Sequence, residues 1–256
     1  MKRIKGILKS KTLYGASVVL VIWYILSISM RSNIIPSPYE TFITFFKLMG
    51  ENLFTHTVVS IYRISIAILI SLFIGVPLGL CVGLSNRADK LISPITYILY
   101  PLPKIAFLPI FMMLFGLGDS SKIILIITII VFPILIAARD GVREIPKELF
   151  YSVESLGLSR WGIYKNLVFP AVLPKIISSL RISVGISISA LFFAENFATT
   201  YGIGYLIMNA WSMVDYPQMF AGILTLSLMG LLIFKIIDLT EKKLCPWIFI
   251  NKPPDE

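Results

Sequence analysis

Four ionisable residues lie within or beside apolar runs long enough to cross a bilayer: Arg63, Lys104, Arg181 and Glu195. A charge held at the centre of a membrane span costs about 3 kcal/mol on insertion scales, so such residues face a partner or a wet cavity. One reading makes them the lining of a polar translocation path, or its gating ion pairs. The other lets the long side chains snorkel to the interface, which suits Arg63 and Arg181 near span ends. Lys104 follows Pro101 and Pro103, which should break a helix. Broken backbone at membrane depth is tolerated only inside protein or beside water. Pro101, Pro103 and Lys104 are therefore path candidates, unless the helix starts late and the PLPK run stays at the interface.

Other reactive types are sparse. The single histidine, His56, stands at an outer span boundary and reads as a satisfied interfacial residue. No G-x-x-x-x-G-K-[ST] is present, so no ATP site of the P-loop kind is expected. Gly202-Ile203-Gly204 lacks the strand–helix setting of a dinucleotide site. Glu144, Glu148 and Glu154 lie among basic residues and read as a solvated face. Cys81 and Cys245 sit in a span and in the terminal tail, and no cluster has metal-ligand spacing. The expectation is no catalytic residue, no metal and no enzyme activity in this chain.

The elements that position these residues are membrane helices. Of the 256 residues 57% are hydrophobic and 14% charged, against about a quarter charged in soluble domains. A span needs about 20 apolar residues, and the chain offers six such stretches, near 13–30, 58–84, 93–115, 123–138, 176–193 and 219–237. The expected fold is an all-α polytopic membrane protein. A β-barrel would need alternating segments of about 10 residues, which are absent. The first apolar stretch is too long for a signal h-region and lacks a small-residue cleavage site, so it reads as a retained span.

Residues 1–12 form a basic tail, 13–240 the membrane domain and 241–256 a second tail. With both termini cytoplasmic, the outer loops carry only Arg31, Lys47 and Lys122, while nearly all remaining Lys and Arg fall inside. That bias fixes the expected orientation. The net charge of +9 is then a topological signal, not a nucleic-acid one. Gly75, Pro77, Gly79 and Gly83 interrupt the second span with small residues suited to close helix packing. Residues 196–218 read as a loop without Lys or Arg.

The longest polar interruption, residues 139–175, reads as a cytoplasmic hairpin of two short amphipathic helices. Pro146 suits a first helical turn, and Leu149, Phe150, Val153 and Leu156 recur at helical spacing. Gly157 suits a helix end with φ > 0. Ser159 can cap a second helix, carrying Trp161, Tyr164, Leu167 and Val168 on one side, which Pro170 and Pro174 should stop. An apolar stripe on a charged hairpin needs something to pack against.

The run Gly157, nine residues, then Leu167-Val168-Phe169-Pro170 resembles the EAA signature of ABC-importer permeases (E-A-A, three residues, G, nine residues, I-x-L-P). Gly157 and Pro170 match; the opening triplet departs, being Tyr151-Ser152-Val153. IIPSPYETF, PLPKIAFLPIFMMLFGLGDSSK, SLGLSRWGIYKNLVFPAVLPKIISSLRIS, FFAENFATTYGIGYLI and KKLCPW together resemble the nitrate/sulfonate/taurine-type permeases. The resemblance implies a type I importer permease with about six spans and a coupling hairpin. It implies a second permease copy, two cytoplasmic ATPase subunits that bind ATP and Mg, and an extracytoplasmic solute-binding protein. Carried onto this sequence, the ATPase-coupling residues are Ser155, Leu156, Gly157, Leu158, Ser159, Arg160, Trp161 and Pro170. Glu154, one turn after Tyr151, could stand in for the missing glutamate. The implied cargo is a small anion such as a sulfonate, nitrate or bicarbonate, or a vitamin precursor. The alternative class is a stand-alone channel or secondary transporter, for which no inverted repeat is evident.

Overall fold

A stripe of buried residues down one helix organises the molecule. In the computed structural model, helix α3 (Leu53–Leu84) buries His56, Ser60, Arg63, Ala67, Ser71, Gly75, Gly79 and Val82 at spacings of three and four. The structure describes the backbone of residues 2–30 and 34–249, and the side chains of 14–30 and 34–249. The expected basic side chains of residues 2–11, together with Arg31 and Lys252, lie outside the described residues. The elements in chain order are α1 (Lys2–Ser29), α2 (Pro38–Met49), α3, α4 (Asn86–Leu99), α5 (Leu108–Phe115), α6 (Asp119–Arg143), α7 (Lys147–Ser155), α8 (Arg160–Ile163), α9 (Phe169–Ala194), α10 (Ile203–Ser212) and α11 (Tyr216–Leu244). No strand occurs among the described residues.

Helices α3, α6 and α11, and the run Arg160–Ala194, are long and apolar enough to cross a membrane. Helices α4 and α5 pass the same test only as a pair, bent by 86°. In α1 the described residues give a shorter apolar helix, Tyr14–Ser29. It joins the rest through Trp23, whose indole N–H donates to the Pro36 carbonyl at 3.1 Å and whose ring stacks on Phe220.

The α3–α6 seam is tight. An added Cβ at Gly79 would lie 2.4 Å from the Leu135 carbonyl oxygen and 2.6 Å from the Ala138 Cβ. Gly75 and Gly83 are comparably close to α6. The two helices run parallel, because Arg63 meets Asp119 near their starts and Gly83 meets Val142 near their ends. Helix α9 returns antiparallel on α6, where Gly141 abuts Val172. Around this seam Ile64, Ile126, Ile130, Ile134, Val172, Val184 and Leu191 form the main apolar core. Two effects of Gly79→Ala oppose each other. Helix propensity favours alanine by about 1 kcal/mol, whereas forcing apart two packed backbones costs about 1–3 kcal/mol. Packing wins, so the variant is expected to lose folded, monodisperse protein in size-exclusion chromatography. Gly118→Ala, whose Cβ meets nothing within 4 Å, should be neutral.

Two expectations fail. Pro170 and Pro174 do not stop the second hairpin helix. The chain passes from α8 through a π-helical turn, Tyr164–Val168, into α9 with Pro170 in its first turn and Pro174 inside it. At Pro170 the wide turn accounts for this. Phe169 N–H bonds Tyr164 O, five residues back, which relieves the register where proline would clash with the carbonyl four residues earlier. Residues 196–218 are also not a plain loop. Ile203, Leu206, Ile207 and Ala210 form the buried face of α10, at the 3–4 spacing of an amphipathic helix.

Candidate functional site

Chemistry-bearing residues gather in three places along the helix bundle. The first is the hairpin. Helix α7 ends in two hydrogen bonds, Gly157 N–H to Glu154 O at 2.9 Å and Leu158 N–H to Val153 O at 3.3 Å. This is a Schellman turn, and it requires the positive φ of Gly157, here +74°. Ser159 then caps α8, its hydroxyl accepting from Gly162 N–H at 3.2 Å. The turn aims apolar side chains outward: Leu156 is 76% and Trp161 70% exposed. Ser155, Ser159 and Arg160 are exposed beside them, and Leu158 and Pro170 are half-buried. Trp161 stacks on Tyr164, which leans on Phe169. Phe150, Ile163, Tyr164 and Leu167 pack back onto the main core. The hairpin is thus a body with a fixed inner side and an unpartnered apolar outer side.

Charge pairs fasten its base. Arg143 pairs with Asp89 at 2.6 Å, Arg139 with Asp140 at 2.7 Å, and Lys175 with Glu144. Asp89 lies in the polar turn before the apolar part of α4. Its carboxylate takes the Arg143 guanidinium and the Ser93 hydroxyl. Glu154 is exposed and, among the described residues, makes no ion pair in place of the missing glutamate.

The second place is the opposite end of the bundle. Arg63 does not snorkel. It is buried with Glu195, pairing with it at 2.7 Å and with Asp119 at 2.7 Å. Arg63 also donates to the Tyr201 carbonyl at 2.9 Å. Glu195 is fully buried. Its carboxylate accepts from the Ser60 hydroxyl at 2.8 Å and from Gly204 N–H at 2.9 Å. Ser60 in turn accepts from Ile203 N–H, and His56 Nδ1 accepts from Gly202 N–H at 3.0 Å. Three successive N–H groups at the start of α10, of Gly202, Ile203 and Gly204, thus find side chains, and the carboxylate sits at the positive end of that helix. Gly202, at φ +131°, has no room for a Cβ, which would lie 2.4 Å from the Glu195 carboxyl carbon. Lys122, placed in an outer loop from the sequence, is fully buried and donates to the carbonyls of Leu117 and Gly118.

The spacing His56, Ser60, Arg63 is i, i+4, i+7, one helical face. That periodicity was the signal available in the sequence, and Gly202-Ile203-Gly204 proves to be the backbone half of the cluster. The charges here are spent on one another. Arg181 is likewise engaged, with Asp238 and Glu241 at 2.7 Å each.

The third place is the break between α4 and α5. Tyr100 to Pro103 form the bend, and Lys104 opens a short 3-10 turn, Lys104–Phe107. Its ammonium donates to the Tyr100 carbonyl and lies 5.2 Å from the Tyr100 ring and 5.4 Å from the Phe132 ring. Phe132 is just past halfway along the 25-residue α6, so the break is at mid-depth of the bundle. Two cavities meet here, of about 280 and 300 Å³.

The profile of the family "Binding-protein-dependent transport system inner membrane component" matches residues 71–245. The chain is 31% identical to the taurine transport system permease protein of Escherichia coli (strain K12), over 78% of this chain and 72% of that one. It is 30% identical to the putative aliphatic sulfonates transport permease protein of Bacillus subtilis (strain 168), over 93% and 87% of the two chains. Among solved structures it is similar in fold to a chain of the inward-facing MetNI methionine ABC transporter, with TM-score 0.64 and 16% identity. The likeness covers 77% of this chain and 97% of that chain.

Proposed function

The chain belongs to the binding-protein-dependent transport system inner membrane components, and on that premise we propose how it works as the permease of a nitrate/sulfonate/taurine-type ABC importer. A permease of this kind is a multi-pass membrane protein and not itself catalytic. It works with an ATPase and a substrate-binding protein.

The hairpin is the docking element. Leu156 and Trp161, exposed around Gly157, enter a groove on the cytoplasmic ATPase, with Ser155, Leu158, Ser159 and Arg160 at the rim. The observation that carries this is the large apolar surface on a turn fastened to the bundle by two ion pairs, Arg143–Asp89 and Lys175–Glu144, and by continuous helix. Because α8 leads through Pro170 into α9 without a break in helix, a push on Trp161 travels along a rigid rod into the membrane. ATP and Mg belong to the partner subunit, and closure of the ATPases biases a two-state packing of the helices. Two identical permeases pair, two ATPases sit beneath, and both termini are cytoplasmic. The cargo is a small anion of the sulfonate, nitrate or bicarbonate kind, or a vitamin precursor.

The test is reconstitution in proteoliposomes with the cognate ATPase and binding protein. ATP-dependent uptake of a binding-protein-delivered solute is expected, and none when the ATPase is omitted. Uptake by the chain alone would overturn the reading in favour of a channel or secondary transporter.

A further inference from the structure

An ammonium at mid-depth of a membrane bundle calls for a reason, because its burial in lipid is costly. Among the described residues Lys104 has a carbonyl and two aromatic faces for company, but no carboxylate. Its bond to Tyr100 O takes one of three N–H donors, and the two rings contribute only quadrupole attraction. The positive charge is solvated without being neutralised. Five other cations are handled differently: Arg63, Arg139, Arg143, Lys175 and Arg181 each meet a carboxylate, and the buried Lys122 has two carbonyls, of Leu117 and Gly118.

The surroundings of Lys104 have the features of a small-molecule site. It lines the cavity of about 280 Å³, whose other walls are apolar or aromatic and include Leu102, Ile129 and Ile186. Lys104 is the only charged residue in that lining. A second cavity of about 300 Å³ shares Tyr100, Pro133 and Ile186 with it and continues past Ser179 and Ser183 towards Lys175 and Asp140 at the hairpin end, where Asp140 is paired with Arg139. Together they make a continuous wall from mid-depth to that end. The break itself supplies the irregular backbone that membranes admit beside a wet cavity. Glu195, which would oppose an anion in the path, is buried at the far end on Arg63, Ser60 and Gly204.

We propose that Lys104, in the cavity walled by Tyr100, Pro133 and Ile186, is a mid-membrane subsite for the acidic group of the transported molecule and sets its charge selectivity. The proposal rests on the importer reading above and narrows its cargo. A sulfonate, nitrate or bicarbonate, or a zwitterion with a sulfonate end, is admitted. A cation such as a thiamine-like compound is disfavoured. Because the charge is compensated by rings and a carbonyl, an entering anion gains an ammonium without first breaking an ion pair. It can leave as readily, which transport requires.

The test uses charged thiol reagents as probes and needs no knowledge of the natural cargo. Ile186→Cys is introduced into the full chain carrying Cys81→Ser, in membrane vesicles, with labelling of the Cys81→Ser parent subtracted. Methanethiosulfonate ethylsulfonate carries a sulfonate, and its ethyltrimethylammonium analogue a positive charge. The sulfonate reagent is expected to react faster than the cationic one, relative to their rates on a free thiol in solution. Lys104→Gln should reduce that ratio roughly tenfold, equivalent to about 1.4 kcal/mol, and Lys104→Arg should keep it. An unchanged ratio in Lys104→Gln overturns the subsite, and so does the absence of labelling by both reagents. Co-purification of the ATPase is scored on the same preparations. Its loss in the parent would remove the importer reading, whereas a flat charge ratio with the ATPase bound removes only the subsite.

Discussion

Glu195→Ala is expected to cost about 3–5 kcal/mol of stability, the penalty for leaving one partner of a buried ion pair uncompensated. The loss has three parts. Arg63 keeps Asp119, but that carboxylate is half exposed and replaces only part of what Glu195 gives. Ser60 loses its acceptor. Gly204 N–H loses its cap at the start of α10, for which a missing acceptor costs about 1 kcal/mol. Glu195→Gln keeps an acceptor for Ser60 and Gly204 and loses only the charge, so it should fall between wild type and alanine. Arg63→Ala leaves a carboxylate buried without its cation and should match Glu195→Ala. The double variant removes both charges, and its cost should be less than the sum by about 1–3 kcal/mol. Melting of the detergent-solubilised chain, followed by fluorescence-detected size exclusion, reads this order. Strict additivity would mean that the pair does not act as a unit.

The cluster shows why part of this molecule was legible in its sequence and part was not. The long apolar helices follow from composition, because a run such as Ile123–Ala138 has no other stable home than a bilayer. The turn at Gly157 follows from local chemistry: a glycine between an apolar stripe and Ser159 is a helix end and a helix start in five residues. Both are short-range signals. The pairing of Arg63 with Glu195 spans 132 positions, and nothing near either residue encodes it. Each alone resembles a charge at a span end, which is why snorkelling was a reasonable expectation for Arg63. Proline was over-weighted at 170 and 174: at 170 a π-helical turn supplies a tolerance that propensity does not express, and at 174 the helix continues with no structural explanation. At 101 and 103 proline was weighed correctly, since two prolines in three residues leave no register in which an α ladder can continue. Helix α10 was hidden by its short length and by glycines that serve Glu195.

Trp161→Glu is expected to leave the permease folded and to lower ATPase co-purification by roughly thirty-fold, the size of a 2 kcal/mol hot spot. The side chain is 70% exposed, so the charge meets water in the free chain and costs the fold little. In a desolvated groove the same charge has no partner, and the indole's contact area is lost. Gly157→Pro reaches the same end by another route. It fixes φ near −65° where +74° is observed and deletes the N–H that bonds Glu154 O, so the Schellman turn cannot form. An added Cβ at 157 meets nothing within 4 Å, so Gly157→Ala has only the positive-φ penalty of about 1–2 kcal/mol. It should weaken docking less than proline does. Tyr39→Ala controls for exposed aromatic loss: the residue is 76% exposed but lies in α2, away from the hairpin. The order wild type and Tyr39→Ala, then Gly157→Ala, then Gly157→Pro and Trp161→Glu, in pull-down with the tagged ATPase, is what the geometry requires. Equal recovery of ATPase with Trp161→Glu and with wild type would move the docking surface off this turn. The departure at Tyr151 then becomes informative, because Tyr151 is also exposed, at 65%, on the helix that leads into Leu156. Tyr151→Ala should weaken docking if the aromatic ring has taken over the glutamate's place at the groove. It should match Tyr39→Ala if the turn from Leu156 to Trp161 carries the contact alone.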